Sequence, residues 1–266
     1  MPLIESWLRT CEERHPECNK PRFFNTINSG ANFLLIDVLS EQIVPVSISS
    51  PFVALSYVWS GAEQLQLTKA LYSELTQHQG LRKYQDKIPQ TIRDAMTVVL
   101  GLNERYLWAD CLCIIQDDLS NKREHIDQMA AIYNAAMITI VACTATSAND
   151  PLPGVQPDTP VIKDPITRQQ GILFTGENPS LLVSTLFQTS HSKRAWTFQE
   201  VLLSRRCLYF FEGEVMIQCQ KSLLKERTTR ISDHEMMNKA GNWPLLESFF
   251  PTKFFRYREL VHTYSS

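Results

Sequence analysis

What is scarce in this sequence narrows its class before any motif is read. No apolar run approaches the roughly 20 residues that a bilayer-spanning helix needs, so no membrane span is expected. The start, Met1-Pro2-Leu3-Ile4-Glu5, lacks the charged leader and apolar stretch of a secretory signal. Charge of one sign is missing too. The 26 basic and 28 acidic side chains leave a formal net charge of -2, so no overall basic field favours nucleic acid or an anionic membrane. There is no internal repeat and no low-complexity tract. Seven cysteines, an odd number in an apolar chain of 266 residues, fit a reducing, cytoplasmic compartment better than a disulfide framework.

Metal ligands are sparse as well. Cys11-x3-His15-x2-Cys18 offers three potential zinc ligands, but a closed structural site needs four, and the sequence neighbourhood supplies no fourth. The segment therefore reads as local packing, and neither a metal nor a resident cofactor is expected. Cys143, Cys207 and Cys219 lie in β-like runs and read as small buried hydrophobes.

What is present describes an α/β protein. The length suggests one large domain, or one with an appendage, and 44% hydrophobic against 20% charged residues supports a real core. Residues 1–50 read as an N-terminal extension packed on that core, with one strand at Phe33–Val38. From Pro51 strands and helices alternate. Phe52–Trp59 is a β-rich run. Pro89 opens a helix whose buried stripe is Ile92, Ala95, Met96, Val99 and Leu100, with Arg93 and Asp94 off it. Tyr106–Ile115 is nearly continuously apolar and reads as one parallel strand covered on both faces, with Cys111 and Cys113 facing the same side.

Asn121, with Glu124, reads as the cap of the next helix. Its buried stripe is Ile126, Met129, Ala130 and Tyr133, and His125 lies at its surface. Met137–Cys143 is a third buried strand. Residues 144–190 break regular structure with Pro and Gly and read as an insertion, with small strands near Gly171–Phe174 and Leu181–Ser184. A helix resumes near Ala195. Arg206–Phe211 and Val215–Cys219 flank a glycine turn as a hairpin. The expected fold is a mainly parallel, doubly wound sheet flanked by helices, with that insertion and hairpin. The core runs over 51–220, followed by a helical flank at 221–266. Ligands of such folds bind outside the carboxyl ends of the strands.

Three blocks then resemble the HET (heterokaryon incompatibility) domain family. They are Ala54-Leu55-Ser56-Tyr57-Val58-Trp59-Ser60; the long block from Ile88-Pro89-Gln90-Thr91-Ile92-Arg93-Asp94-Ala95 through Tyr106–Asp117 to Ile132-Tyr133 and Ala136; and Arg194–Ser204, with Trp196-Thr197-Phe198-Gln199-Glu200 at its centre. Val58 and Ser60 stand where the family usually has Cys and Gly. The resemblance spans about 50–220, and such proteins usually continue further, so the chain reads as a short version or a fragment. It implies a fungal cell-death or innate-immunity effector.

The family has been proposed as a distant relative of TIR (flavodoxin-like) domains, some of which cleave NAD. That likeness implies a catalytic Glu200 and a Trp196–Glu200 pair on one helix face. Ser56, Tyr57, Trp59, Asp110 and Gln116 would be the other substrate-binding residues, NAD being substrate and not cofactor. Breaking a nicotinamide–ribose bond develops oxocarbenium character, which a carboxylate stabilises without a metal. Read from the residues alone, Glu200 fits equally a helix-face carboxylate paired with Arg194, Arg205 or Arg206. Asp110 fits a structural network with Ser56, Arg93 or Gln116. The alternative function is a non-enzymatic module that self-associates, or binds a cell-death signalling partner.

Overall fold

The apolar runs become strands of one sheet. The computed structural model describes residues 1–21, 33–59, 64–157, 168–169, 172–173, 200–211 and 214–225. Its strands are β1 (Leu34–Asp37), β2 (Gln42–Pro45), β3 (Val53–Ser56), β4 (Tyr106–Trp108), β5 (Ile138–Ala142), β6 (Arg168–Gln169), β7 (Ile172–Leu173), β8 (Arg206–Phe211), β9 (Glu214–Cys219) and β10 (Leu223–Lys225). Eight form a sheet of order β10-β9-β8-β5-β3-β4-β1-β2, and β6 and β7 pair separately.

β3 pairs parallel with β4 and with β5, and β5 pairs parallel with β8. The flanks are antiparallel: β2 on β1 and β1 on β4 at one side, β9 on β8 and β10 on β9 at the other. The sheet is thus mixed, its parallel part confined to four central strands, where the sequence suggested a mainly parallel one. The reason lies in the connections. Short hairpin links can join only antiparallel neighbours, whereas parallel strands need a long crossover. Such a crossover carries the chain from β3 out to β4, and the next one returns past β3 to β5. The connections leaving β3 and β5 therefore diverge.

The helices are α1 (Pro2–Arg14), α2 (Lys69–Leu75), α3 (Gln90–Gly101), α4 (Asp110–Cys113) and α5 (Leu119–Ala135), and residues 200–203 are also helical. Among the described residues no helix is long and apolar enough to cross a membrane.

Several sequence expectations are corrected. The Tyr106–Ile115 run leaves the sheet after Trp108 and turns into α4. Cys111 and Cys113 therefore lie on a helical turn and not on alternate strand positions. The cause is tertiary: Leu67 N–H donates to Cys111 O (2.9 Å), and Gln116 N–H donates to Leu67 O (2.8 Å). A continuous apolar run does not by itself distinguish a buried strand from a buried helix.

Asp94 is fully buried on α3, whereas Leu100 is exposed. The Asp94 carboxylate accepts Leu152 N–H (2.8 Å) and the Gln90 and Gln156 side-chain amides (2.7 and 2.8 Å). Asp118, and not Asn121, caps α5, accepting the N–H groups of Ser120 and Asn121. Asn121 Oδ1 instead accepts Ile115 N–H at 3.1 Å. On α5, Ile126 is exposed while His125 is buried, with Nδ1 2.8 Å from Asn121 O.

Register decides which side chains share a face. Ser56 lies opposite Val141, and Val141 opposite Tyr209, so all three point to one side of the sheet. Val141, Cys143, Cys207, Tyr209, Met216 and Leu223 form a core on that side, with Val201 packed against it. The helical residues 200–203 therefore cover this face. The opposite face adds Leu55, Ile140, Leu208, Phe210 and Ile217 to the main core.

Candidate active site

Ser56 is the last residue of β3 and is completely buried. Its hydroxyl donates a hydrogen bond to Glu200 Oε2. An ionised carboxylate can only accept, so the hydroxyl proton is directed at it. Glu200 is half-buried. Its main chain is also held: Ser204 Oγ donates to Glu200 O (2.7 Å), and Ser204 in turn bonds Thr139 Oγ1 of β5 (2.6 Å). The carboxylate thus stands at the carboxyl end of β3, held by Ser56, while the Glu200 main chain is tied to β5 through Ser204.

Tyr133 of α5 closes the group. Its hydroxyl donates to Leu55 O at 3.2 Å, and its ring packs edge-on against Trp108, centroids 5.4 Å apart. Burial raises the phenol well above its ordinary pKa, and the neighbouring charges of Glu200 and Asp110 raise it further. Tyr133 therefore stays protonated, a hydroxyl beside the Glu200 carboxylate.

The residues following β3 join this edge to the turn after β4. Trp59 Nε1 donates to Asp110 Oδ1 (2.9 Å), which also accepts Cys111 N–H (2.8 Å). Gln116 Nε2 donates to Asp110 O (2.9 Å) and Ile114 O (3.1 Å), bracing the loop from within. Tyr57 is buried, its hydroxyl facing Asp110 and Cys111 without a well-formed hydrogen bond among the described residues. Burial, then the Cys111 and Asp110 charges, push its pKa well up.

Neither cysteine of the turn is an activated thiol. Burial raises Cys111 well above its ordinary range and pushes Cys113 up to about 12, the reverse of what a nucleophilic thiolate needs.

Of the residues singled out from sequence, Ser56 and Glu200 meet directly. Trp59 and Asp110 meet each other, and Tyr57 and Gln116 adjoin Asp110. Trp196 lies outside the described residues, as does Arg194. Tyr133 was missed as a site residue because it sits in a helical apolar stripe, where an aromatic reads as core.

A further cluster lies across the sheet's other flank. Cys11, His15, Cys18 and Cys219 bring their ligand atoms within 4.8 Å of one another. The fourth group that the sequence neighbourhood lacked comes from β9, 201 positions after Cys18 (219 minus 18).

A family model described as heterokaryon incompatibility protein (HET) matches residues 52–200, more than half of the chain. The chain belongs to the HET family. Its HET domain ties it to heterokaryon incompatibility. No curated protein and no solved structure matches it. The HET match opens at Phe52, next to β3, and closes on Glu200. It takes in both partners of the Ser56–Glu200 contact, while Cys11, His15, Cys18 and Cys219 lie beyond its ends.

Proposed function

We propose that this HET domain is a cell-death effector that hydrolyses the nicotinamide–ribose bond of NAD, with Glu200 as the catalytic carboxylate. The observation that carries the reading is the Ser56–Glu200 hydrogen bond at the carboxyl end of β3. The four central strands run β4-β3-β5-β8 in space. Numbered along the chain that is 2-1-3-4, the order of flavodoxin-like sheets. Ligands of such sheets bind where the connections diverge, here between β3 and β5, the two strands that hold Glu200. This favours a TIR-like arrangement.

In the reaction the bond from ribose C1′ to the pyridinium nitrogen breaks, and nicotinamide leaves as a neutral molecule with the electron pair. Water forms the new C1′–O bond and releases its proton. Positive charge gathers on the ribose between these events, and a fixed carboxylate stabilises it. Ser56 holds Glu200 Oε2 and so fixes the direction of the carboxylate. In this reading Asp110 and the Trp59 indole, hydrogen-bonded to each other, border the substrate, an aromatic face suiting a cationic pyridinium.

Incubating concentrated protein with NAD should release nicotinamide and ADP-ribose. Glu200→Gln should reduce the rate on the order of a hundredfold or more and abolish toxicity, with an unchanged circular dichroism spectrum. A folded Glu200→Gln protein that turns NAD over normally would refute the reading. Toxicity that survives the substitution without any NAD loss in wild type would establish the alternative, a non-enzymatic module acting by self-association or partner binding.

A further inference from the structure

We propose that Cys11, His15, Cys18 and Cys219 bind one structural zinc ion, which fastens the N-terminal helix to the antiparallel flank of the sheet. Cys11 lies near the end of α1, His15 caps that helix, and Cys18 sits in the 3-10 turn Pro16–Asn19 that follows. Cys219 is the last residue of β9. The four ligand atoms lie within 4.8 Å of one another, and His15 Nδ1 is 3.3 Å from Cys219 Sγ. Around a tetrahedral zinc, with metal–sulfur and metal–nitrogen bonds of about 2.3 and 2.0 Å, ligand atoms stand roughly 3.5–3.8 Å apart. Small side-chain adjustments close the set. Three thiolates and one imidazole form a closed structural complement with no open position for substrate.

The sulfurs have the surroundings of thiolate ligands. Cys219 Sγ receives the main-chain N–H groups of Lys221 and Ser222, each at 3.3 Å, and lies 3.3 Å from Ser222 Oγ. Arg206 Nε donates to Cys11 Sγ at 3.2 Å. Donors aimed at coordinating atoms are the usual second layer of a metal site. All three cysteines are buried and none is in a disulfide.

Charge gives an independent reason. Arg205 and Arg206 are buried, and among the described residues neither has a carboxylate partner. Their other N–H groups go to carbonyls of Asn19, Ala135, Ala136 and Met137 and to Asn19 Oδ1. Buried guanidinium groups call for opposing charge. Three thiolates and a divalent zinc sum to one negative charge, placed against Arg206.

The full chain, purified under reducing conditions without chelator, should carry about one zinc per molecule by elemental mass spectrometry. Exchange for cobalt(II) should give the intense visible bands of a tetrahedral site with thiolate charge transfer. Cys18→Ser and Cys219→Ser should retain at least tenfold less metal, while Cys143→Ser, outside the cluster, keeps it. His15→Cys should keep zinc and shift the cobalt bands. Should the serine variants fail to fold, the wild-type cobalt spectrum still decides. Wild-type protein without zinc and without a tetrahedral cobalt spectrum would overturn the proposal. So would a native disulfide among the three cysteines, or equal metal loss from Cys143→Ser.

Discussion

Among the described residues Glu200 is held by the hydroxyl groups of Ser56 and Ser204, and neither Arg205 nor Arg206 takes the place the sequence offered them. Arg205 and Arg206 follow it closely, yet their N–H groups go to Ala135, Ala136, Asn19, Met137 and Cys11. Ser56 takes the carboxylate. Removing the Ser56 hydroxyl should leave the charge in place but release its direction. Ser56→Ala is therefore expected to lower kcat on the order of a hundredfold while NAD binding changes little, measured by steady-state kinetics. A Ser56→Ala enzyme with wild-type kcat would show the contact to be structural. At this scale family motifs singled out Ser56 and Glu200, which the fold brings into contact. It did not identify Tyr133, whose hydroxyl reaches the site through packing. Nor did it identify Cys219 as a companion of Cys11, because proximity across more than 200 positions (219 minus 11) has no local signature.

At the level of elements, apolar runs located strands well and misread one ending. β1, β3, β5 and the β8–β9 pair lie where hydrophobic runs placed them. The stretch after Trp108 folded as a turn because Leu67 captures its main chain. α3 shows the converse, a charge inside a helix face that the apolar stripe appeared to exclude. Asp94 belongs there because it satisfies Leu152 N–H and two amides, tying the segment after β5 to α3. Asp94→Ala strands the buried Leu152 N–H and should cost roughly 2–4 kcal/mol, read from urea unfolding. A change below about 0.5 kcal/mol, usual for surface sites, would contradict this account of the loop.

Across the whole molecule, the sheet is parallel at its centre and bordered by antiparallel flanks, and an ion pair fastens one of them. At the β1 side, the buried Asp37 receives Arg105 Nε (3.0 Å) and Nη2 (2.7 Å). Burial pushes the Asp37 carboxyl up, but hydrogen bonds from Arg105 and Ser40 outweigh it and leave the pKa below the ordinary value. A carboxyl depressed in the folded state stabilises the fold above its unfolded pKa of about 3.9 and loses that contribution as pH falls through the lower folded value. Tm should fall more steeply below about pH 4 for wild type than for Asp37→Asn. Parallel acid profiles would contradict this. The overall α/β class was legible because it rests on the alternation of runs. Of the antiparallel flanks, the β8–β9 hairpin was legible from its glycine turn; the antiparallel placing of β1, β2 and β10 was not, because strand direction depends on how short a connection is and which neighbour it meets.

The claim at the centre is that Ser56 and Glu200 act as one unit at the carboxyl end of β3. A double-mutant cycle on NAD turnover tests it: wild type, Ser56→Ala, Glu200→Gln and the pair together, each with its fold checked. If Ser56 works only through Glu200, the double variant should be no slower than Glu200→Gln alone. Losses that multiply independently, or a double variant that still cleaves NAD at the wild-type rate, would contradict it.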